Sequence, residues 1–449
     1  MTFIRTSRLR TLVAGALLLA AAGSAGAITL EQAYQAALKN DPVFRMRYFE
    51  NESGKENRIL GRAQLLPQIS ASHSFNRNIT DLLAPSQRVQ GATELSHPRY
   101  LSRSSIVQLR QPLFNMDGIQ RYRQGKVQSE QAEQAYEAGL DEVSVRVVSA
   151  YMDALFAEDQ LALARVQRDA YIEHQKVNTR LFQLGEGTRT DMLEIQARLD
   201  LAEAQLVEAQ DNVVAVRNTL AGVIGADPGT LDQLAENFRP VTLNVGSFEE
   251  WRSLALARNN TLAATRLGVE NARLDINRNR AGHLPRVDLI AAYSKNDSET
   301  LNLRGTESTN RALGFQVNFP IYSGGSVNAT TRQAAANLGR AQAELDARSN
   351  EILIELRRAH DLVLSSGRKI DALVKAVDSG KLLMTATEKS IKGGVRINLD
   401  LLNAQQQLFT SQRDLAQARY SYLVGLMRLR AAAGTLEPES IREIAAFFR

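Results

Sequence analysis

The chain states one pattern twice. Residues 28–225 and 247–434 match segment by segment, so the fold must hold two equivalent halves and not a short solenoid period. Leu66-Pro67-Gln68-Ile69 recurs as Leu284-Pro285-Arg286-Val287, and Gln111-Pro112-Leu113-Phe114 as Phe319-Pro320-Ile321-Tyr322. Asp191-Met192-Leu193-Glu194-Ile195-Gln196 recurs as Asp400-Leu401-Leu402-Asn403-Ala404-Gln405. Each copy reads helix, strand, strand, very long helix, helix.

Residues 1–27 read as a signal peptide. Arg5, Arg8 and Arg10 precede an apolar run over 12–22, and Ala25-Gly26-Ala27 forms a small-residue cleavage site, which places the start of the mature chain at Ile28. Its removal takes three positive charges from the formal +5, so the basic balance argues little for nucleic acid. The chain has no cysteine, which excludes disulfides, thiolate metal sites, cysteine nucleophiles and a lipid on cysteine. No later segment is apolar enough for a helical membrane span. A periplasmic or secreted protein and an outer-membrane β-barrel remain. Aromatic residues make up only 6% of the chain, while Ala, Gln, Leu, Arg and Glu dominate, as in long helices and coiled coils.

Residues 29–62 read as a helix and 69–78 as a strand, with Ile69, Ala71, His73 and Phe75 on one face and Ser70, Ser72, Ser74 and Asn76 on the other. A polar stretch, 79–103, reads as a loop before a second strand over 104–113. From 117 to 184 no proline interrupts the helical period, so one helix of roughly 100 Å is expected. Residues 188–224 give another. The second copy reads as a helix over 247–282, strands over 287–294 and 313–322, a long helix over 326–392 and a closing helix over 398–433. Residues 226–246 are an irregular connector and 435–449 a short tail. Within each copy the two shorter helices together match the long one in length, so a stacked pair could pack along it as a coiled coil.

The strands have the length that crosses an outer membrane when tilted. Phe315, Val317, Phe319 and Ile321 would face lipid, with Gln316 and Asn318 facing inward. Four strands cannot close a barrel, and an open membrane sheet has unpaired edges, so the sequence requires at least a dimer. Pro67, Pro112, Pro285 and Pro320 sit at the expected strand–helix junctions, where a fixed φ and a missing N–H suit a swivel from sheet to helix.

The chain resembles the TolC family of outer-membrane channel-tunnels over nearly all of 28–434. The most specific stretches are His283-Leu284-Pro285-Arg286-Val287-Asp288-Leu289, Phe319 to Val327 and Ala418-Arg419-Tyr420-Ser421-Tyr422-Leu423. The resemblance implies an α+β fold, mainly long α-helices. It further implies a homotrimer whose twelve-stranded barrel continues into a periplasmic α-helical barrel ringed by an equatorial belt from 226–246 and 435–449. The implied function is a passive exit duct for type I protein secretion or small-molecule efflux. The implied partners are outer-membrane lipid, a periplasmic adaptor and an inner-membrane ABC-type or proton-driven pump.

The resemblance also implies a gate at the helix-to-helix turns. Thr190 and Asp191 map to the first inner hairpin, Arg396 and Asp400 to the second. In the family the arginine ties neighbouring helices through the threonine and aspartate positions, and aspartates ring the aperture. Ile391 stands where a tyrosine contributes to closure, and Asn403 where a second aspartate ring would lie, so closure here is not expected to use a Tyr–Asp hydrogen bond. Read from spacing alone, Asp400 could simply pair with Arg396 one turn away. Glu194, one turn from Asp191, is either a further ring member or part of a solvated face. Gly185, Gly187, Gly393 and Gly394 mark the turns, which terminate helices and, in the family reading, meet the adaptor.

No catalytic, metal or cofactor site is expected. His73, His97, His174, His283 and His360 have no ligand spacing, and Gly185-Glu186-Gly187 lacks the context of a phosphate loop. The competing reading is a periplasmic coiled-coil scaffold or adhesin without a pore, which leaves the four amphipathic strands unexplained.

Overall fold

A computed structural model describes residues 27–85, 91, 93–97, 99–240, 246–298, 305–393 and 395–449. The signal peptide therefore lies outside the described residues, as does Gly394.

The first copy holds α1 (Leu30–Asn40), α2 (Pro42–Ala63), β1 (Gln68–Ile79), β2 (Leu82–Pro85), β3 (Thr93–Ser96), β4 (Arg99–Phe114), α3 (Met116–Gln183) and α4 (Arg189–Ile224). The second holds α5 (Phe248–Arg258), α6 (Asn260–Arg280), a 3-10 turn (Ala281–His283), β5 (Arg286–Ser298), β6 (Thr306–Asn318), α7 (Ser326–Lys392) and α8 (Asn398–Ala433). A last helix, α9 (Pro438–Ala445), follows. The order of elements repeats, as the duplicated sequence requires.

Each leading helix is broken where one helix was expected. Asp41 precedes Pro42 and is pushed to φ −58°, ψ 117°, because a residue before proline is excluded from the helical region. Its carboxylate then accepts from Val43 N at 2.7 Å and Phe44 N at 3.2 Å, capping α2, and pairs with Arg146 Nε at 2.9 Å. The second copy bends at Asn259, φ −64°, ψ 121°, without a proline. Here Asn259 Nδ2 donates to Ala432 O at 3.0 Å and Asn260 Nδ2 to Asp141 Oδ2 at 3.0 Å. The kinks receive the ends of the closing helices in the same way. Asn40 Nδ2 donates to Ile224 O at 2.8 Å beside Gly225. Gly434, at φ 67°, lies so close to Arg258 that a Cβ would meet its carbonyl oxygen at 2.4 Å, which only glycine permits.

The described residues form two compact units. One comprises the chain up to Tyr48, 137–260 and 349–449; the other comprises 49–136 and 261–348. In the first, the connector and the tail pack together. Gln233 and Arg449 exchange backbone hydrogen bonds at 3.3 and 3.0 Å, and Ala235 N donates to Phe447 O at 3.0 Å. The fully buried Tyr151 anchors them. Its hydroxyl donates to Ile28 O at 2.9 Å and accepts from Asp232 N at 3.0 Å. The second unit carries a four-stranded antiparallel sheet in the order β1-β4-β5-β6.

Two strand expectations need correction. Part of 79–103, read as a loop, forms a separate β2–β3 hairpin, and β4 starts at Arg99. β6 runs over Thr306–Asn318, so Phe319 and Ile321 lie beyond it, 58% and 90% exposed. The apolar alternation continues there, but Pro320 has no N–H to extend the ladder.

Candidate functional site

The sheet ladders pair residues of like parity. Gln68 faces Arg110, Arg110 faces Ile290, and Asp288 faces Gln316. Residues directly opposite share a face, so even-numbered side chains form one surface and odd-numbered ones the other. The even surface carries Ser70, Ser72, Ser74, Asn76, Ser104, Gln108, Ser294, Asn310 and Gln316. The odd surface carries Ile69, Phe75, Val107, Leu109, Leu289, Leu313, Phe315 and Val317. On β5 the even residues from Asp288 to Asn296 are shielded while Tyr293, Lys295 and Asp297 are exposed, so the even face is concave. Leu313 and Phe315 stand 76% and 72% exposed on the odd face. A polar concave face and a bare apolar convex face suit a barrel wall with water inside and lipid outside. Toward one end the odd face becomes charged: Arg103 lies over the Phe75 ring at 5.4 Å, Arg311 over Tyr293 at 5.9 Å, and Lys295 pairs with Glu307.

Of the four prolines, Pro67 and Pro285 directly precede β1 and β5, and Pro320 lies between β6 and α7. Pro112 is placed differently, within β4 and next to a bulge between Pro112 and Phe114. The extra residue shifts the parity, so Phe114 pairs with Val287 and stays on the apolar face. Nearby on the even face Asp288, 2% exposed, accepts from Arg110 Nη2 at 2.6 Å and Nε at 3.0 Å, and from Arg286 Nε at 3.1 Å.

The helical hairpins lie in the other unit. The first turn ends α3 with Gly185 at φ 81°, and Glu186 N donates to Leu181 O at 2.9 Å. Thr188 then caps α4. Asp191 N donates to its Oγ1 at 3.1 Å, and that hydroxyl donates to Asp191 Oδ2 at 2.7 Å. Gly187 is half-buried against Phe182, and Thr190 is exposed. The second turn repeats the backbone, with Gly393 N bonding Lys389 O at 3.1 Å and Val395 N bonding Ser390 O at 3.0 Å. Its cap differs. Ile397 stands at the Thr188 position and offers no side-chain hydrogen bond.

Among the described residues Asp400 has no side-chain partner and Arg396 no ion pair, so the one-turn Arg396–Asp400 pairing that spacing allowed does not form within the chain. Arg396 is exposed, and Ile391 and Asp400 are half-buried. Glu194 and Asn403 are brought together instead. Arg198 Nη2 lies 3.0 Å from both Glu194 Oε1 and Asn403 Oδ1, linking α4 to α8. Asn398 Nδ2 donates to Asn178 Oδ1 at 2.7 Å, and Gln167 Nε2 to Gln406 Oε1 at 2.7 Å, linking α8 to α3. Tyr171, Ile195, Leu199, Ala202 and Leu402 form a buried cluster among these helices. Burial also lowers the His174 pKa, against the opposing interaction with the Gln405 side chain and the charge of Glu388. Sequence reading missed Arg198, Asn178 and Asn398. Only the four-residue spacing of Glu194 and Arg198 signalled any of them.

A sheet polar within, apolar without and unpaired at both edges, in a chain otherwise built of very long helices, defines an outer-membrane channel with a large periplasmic helical part. The chain belongs to the outer membrane efflux protein family, which it matches over residues 33–226 and 251–435. It is 39% identical to the alkaline protease secretion protein AprF of Pseudomonas aeruginosa, covering 98% of this chain and 92% of that one. It is 36% identical to the proteases secretion protein PrtF of Dickeya chrysanthemi, covering 95% and 92%. The Campylobacter jejuni CmeC outer membrane channel shares the fold, with a TM-score of 0.77 at 18% identity over 94% of this chain and 90% of that one.

Proposed function

We propose that this channel is the passive exit duct of a tripartite type I secretion system, exporting a protein. The relatives AprF and PrtF, named for protease secretion, favour protein over small-molecule cargo. Three chains supply twelve strands. The observation that carries this reading is the sheet itself. Among the described residues β1 and β6 each have a neighbour on one side only, and backbone edges in lipid must be paired. A scaffold without a pore would have no use for such a sheet.

The duct performs no chemistry; energy comes from an inner-membrane pump, of ABC type for this cargo, bridged by a periplasmic adaptor that meets the turns at Gly185, Gly187, Gly393 and Gly394. The Pro67, Pro285 and Pro320 segments turn sheet into helix, and Pro112 bends β4 at its bulge just before α3. At the gate, Arg396 reaches Thr190 and Asp191 of a neighbouring helix. Asp400, with Asp191 and Glu194, lines the aperture, where three copies focus a negative field. Ile391 packs in place of a polar closure contact, and Asn403 stays with Arg198.

Closure of the barrel is tested by Ala71→Cys on β1 with Leu313→Cys on β6. The chain has no cysteine of its own, so a flexible bis-maleimide reports only these edges. The expected product is a covalent ladder ending at the trimer. Monomer alone, from correctly inserted protein, would refute ring closure through these strands.

A further inference from the structure

The even face of the sheet is almost uncharged. Along β1, β4, β5 and β6 its residues are serine, threonine, asparagine, glutamine, tyrosine or apolar, and among the described residues the charged ones are Arg110, Arg286 and Asp288 alone. Both arginines bind Asp288, two guanidiniums on one buried carboxylate. The cluster therefore carries a net single positive charge. The arginine side chains keep 40% and 36% of their surface open, so the charge stays accessible on the concave side.

We propose that this cluster is an anion-attracting ring at the helix-side root of the barrel, selecting for acidic stretches of the passing polypeptide. The proposal rests on the duct reading, in which three copies face one another across the lumen. Asp288 holds both arginines in place and sets the ring's net charge. Arg286 and Arg110 present it. Among the described residues of the even face no other charge offsets the ring. Its field reaches about one Debye length, ~8–10 Å at moderate salt, so it acts on an extended chain threading past. A polar, neutral wall beyond it lets that chain move on, since transport needs binding weak enough to release.

The test is the reversal potential of single channels across a KCl gradient, in the Arg396→Ser background so that the tip is the same in every protein. Arg286→Gln should lower chloride permeability relative to potassium by about twofold, and Asp288→Asn should raise it by a similar factor. Arg286→Lys should match the parent. Current block by an oligoglutamate added from the barrel side should weaken in Arg286→Gln and strengthen in Asp288→Asn, and oligolysine should block no better in the parent than in Arg286→Gln. Opposite shifts from two substitutions in one cluster cannot come from misfolding. Channels that conduct but share the parent's reversal potential and block would overturn the ring and leave the duct intact. A membrane-inserted parent that never conducts would overturn the duct reading, and the ring with it.

Discussion

Asp191 and Asp400 occupy the same place in the two copies, yet among the described residues only Asp191 has a side-chain partner. Thr188 supplies the reciprocal cap, and Ile397 cannot. Ile397→Thr should restore a capping box, stabilising the α8 start by about 1 kcal/mol. In the proposed gate it would also give the Asp400 carboxylate a partner and weaken its field in the aperture. Hydrogen exchange should show slower amides at Asn398–Leu401, and the channel should become less cation-selective. Slower exchange with unchanged selectivity would remove Asp400 from the filter. The difference between the two aspartates was open to inspection in the sequence, since Thr188 and Ile397 align. The links from Arg198 to Asn403 and from Asn178 to Asn398 were not. They join residues more than 200 positions apart, and polar residues on helices carry no mark of which neighbour they will meet.

Elements were most legible where one physical signal ran uninterrupted. α7 and α8 end where proline-free periodicity meets the Gly393 turn and Gly434. The kink at Asp41 was written in Pro42 and overlooked, because the apolar period continues through it. The kink at Asn259 was not written locally at all. It is set by hydrogen bonds to Ala432 and Asp141. That second contact has a pH signature. Burial pushes the Asp141 carboxyl up from 3.8 to about 6, the Asn260 hydrogen bond opposing and Glu137 adding. The folded pKa lies above the unfolded one, so the folded state holds the proton more tightly. Stability is therefore lost as pH rises from about 3.8 to about 6 and stays lower above that. Asp141→Asn should leave stability unchanged below pH 4 and raise it by on the order of 1 kcal/mol at pH 7.5. Thermal melts at the two pH values check this, and equal gains at both would refute it.

At the scale of the whole molecule, the chain is incomplete alone. Among the described residues its sheet has two open edges and an uncovered apolar face, and Arg396 and Asp400 have no side-chain partner. The proposed trimer, with copies arranged around a pore, would meet both deficits. The sequence announced the sheet through strand alternation, whereas the proposed gate rests on family resemblance, because a pore is a property of the assembly and leaves no local pattern. The most direct measurement is single-channel conductance in a planar bilayer for the wild type, Asp400→Ala and Arg396→Ser. A gated duct predicts a small cation-selective conductance in the wild type, reduced selectivity in Asp400→Ala and a larger conductance in Arg396→Ser. A stable inserted trimer that stays silent in all three proteins would contradict it.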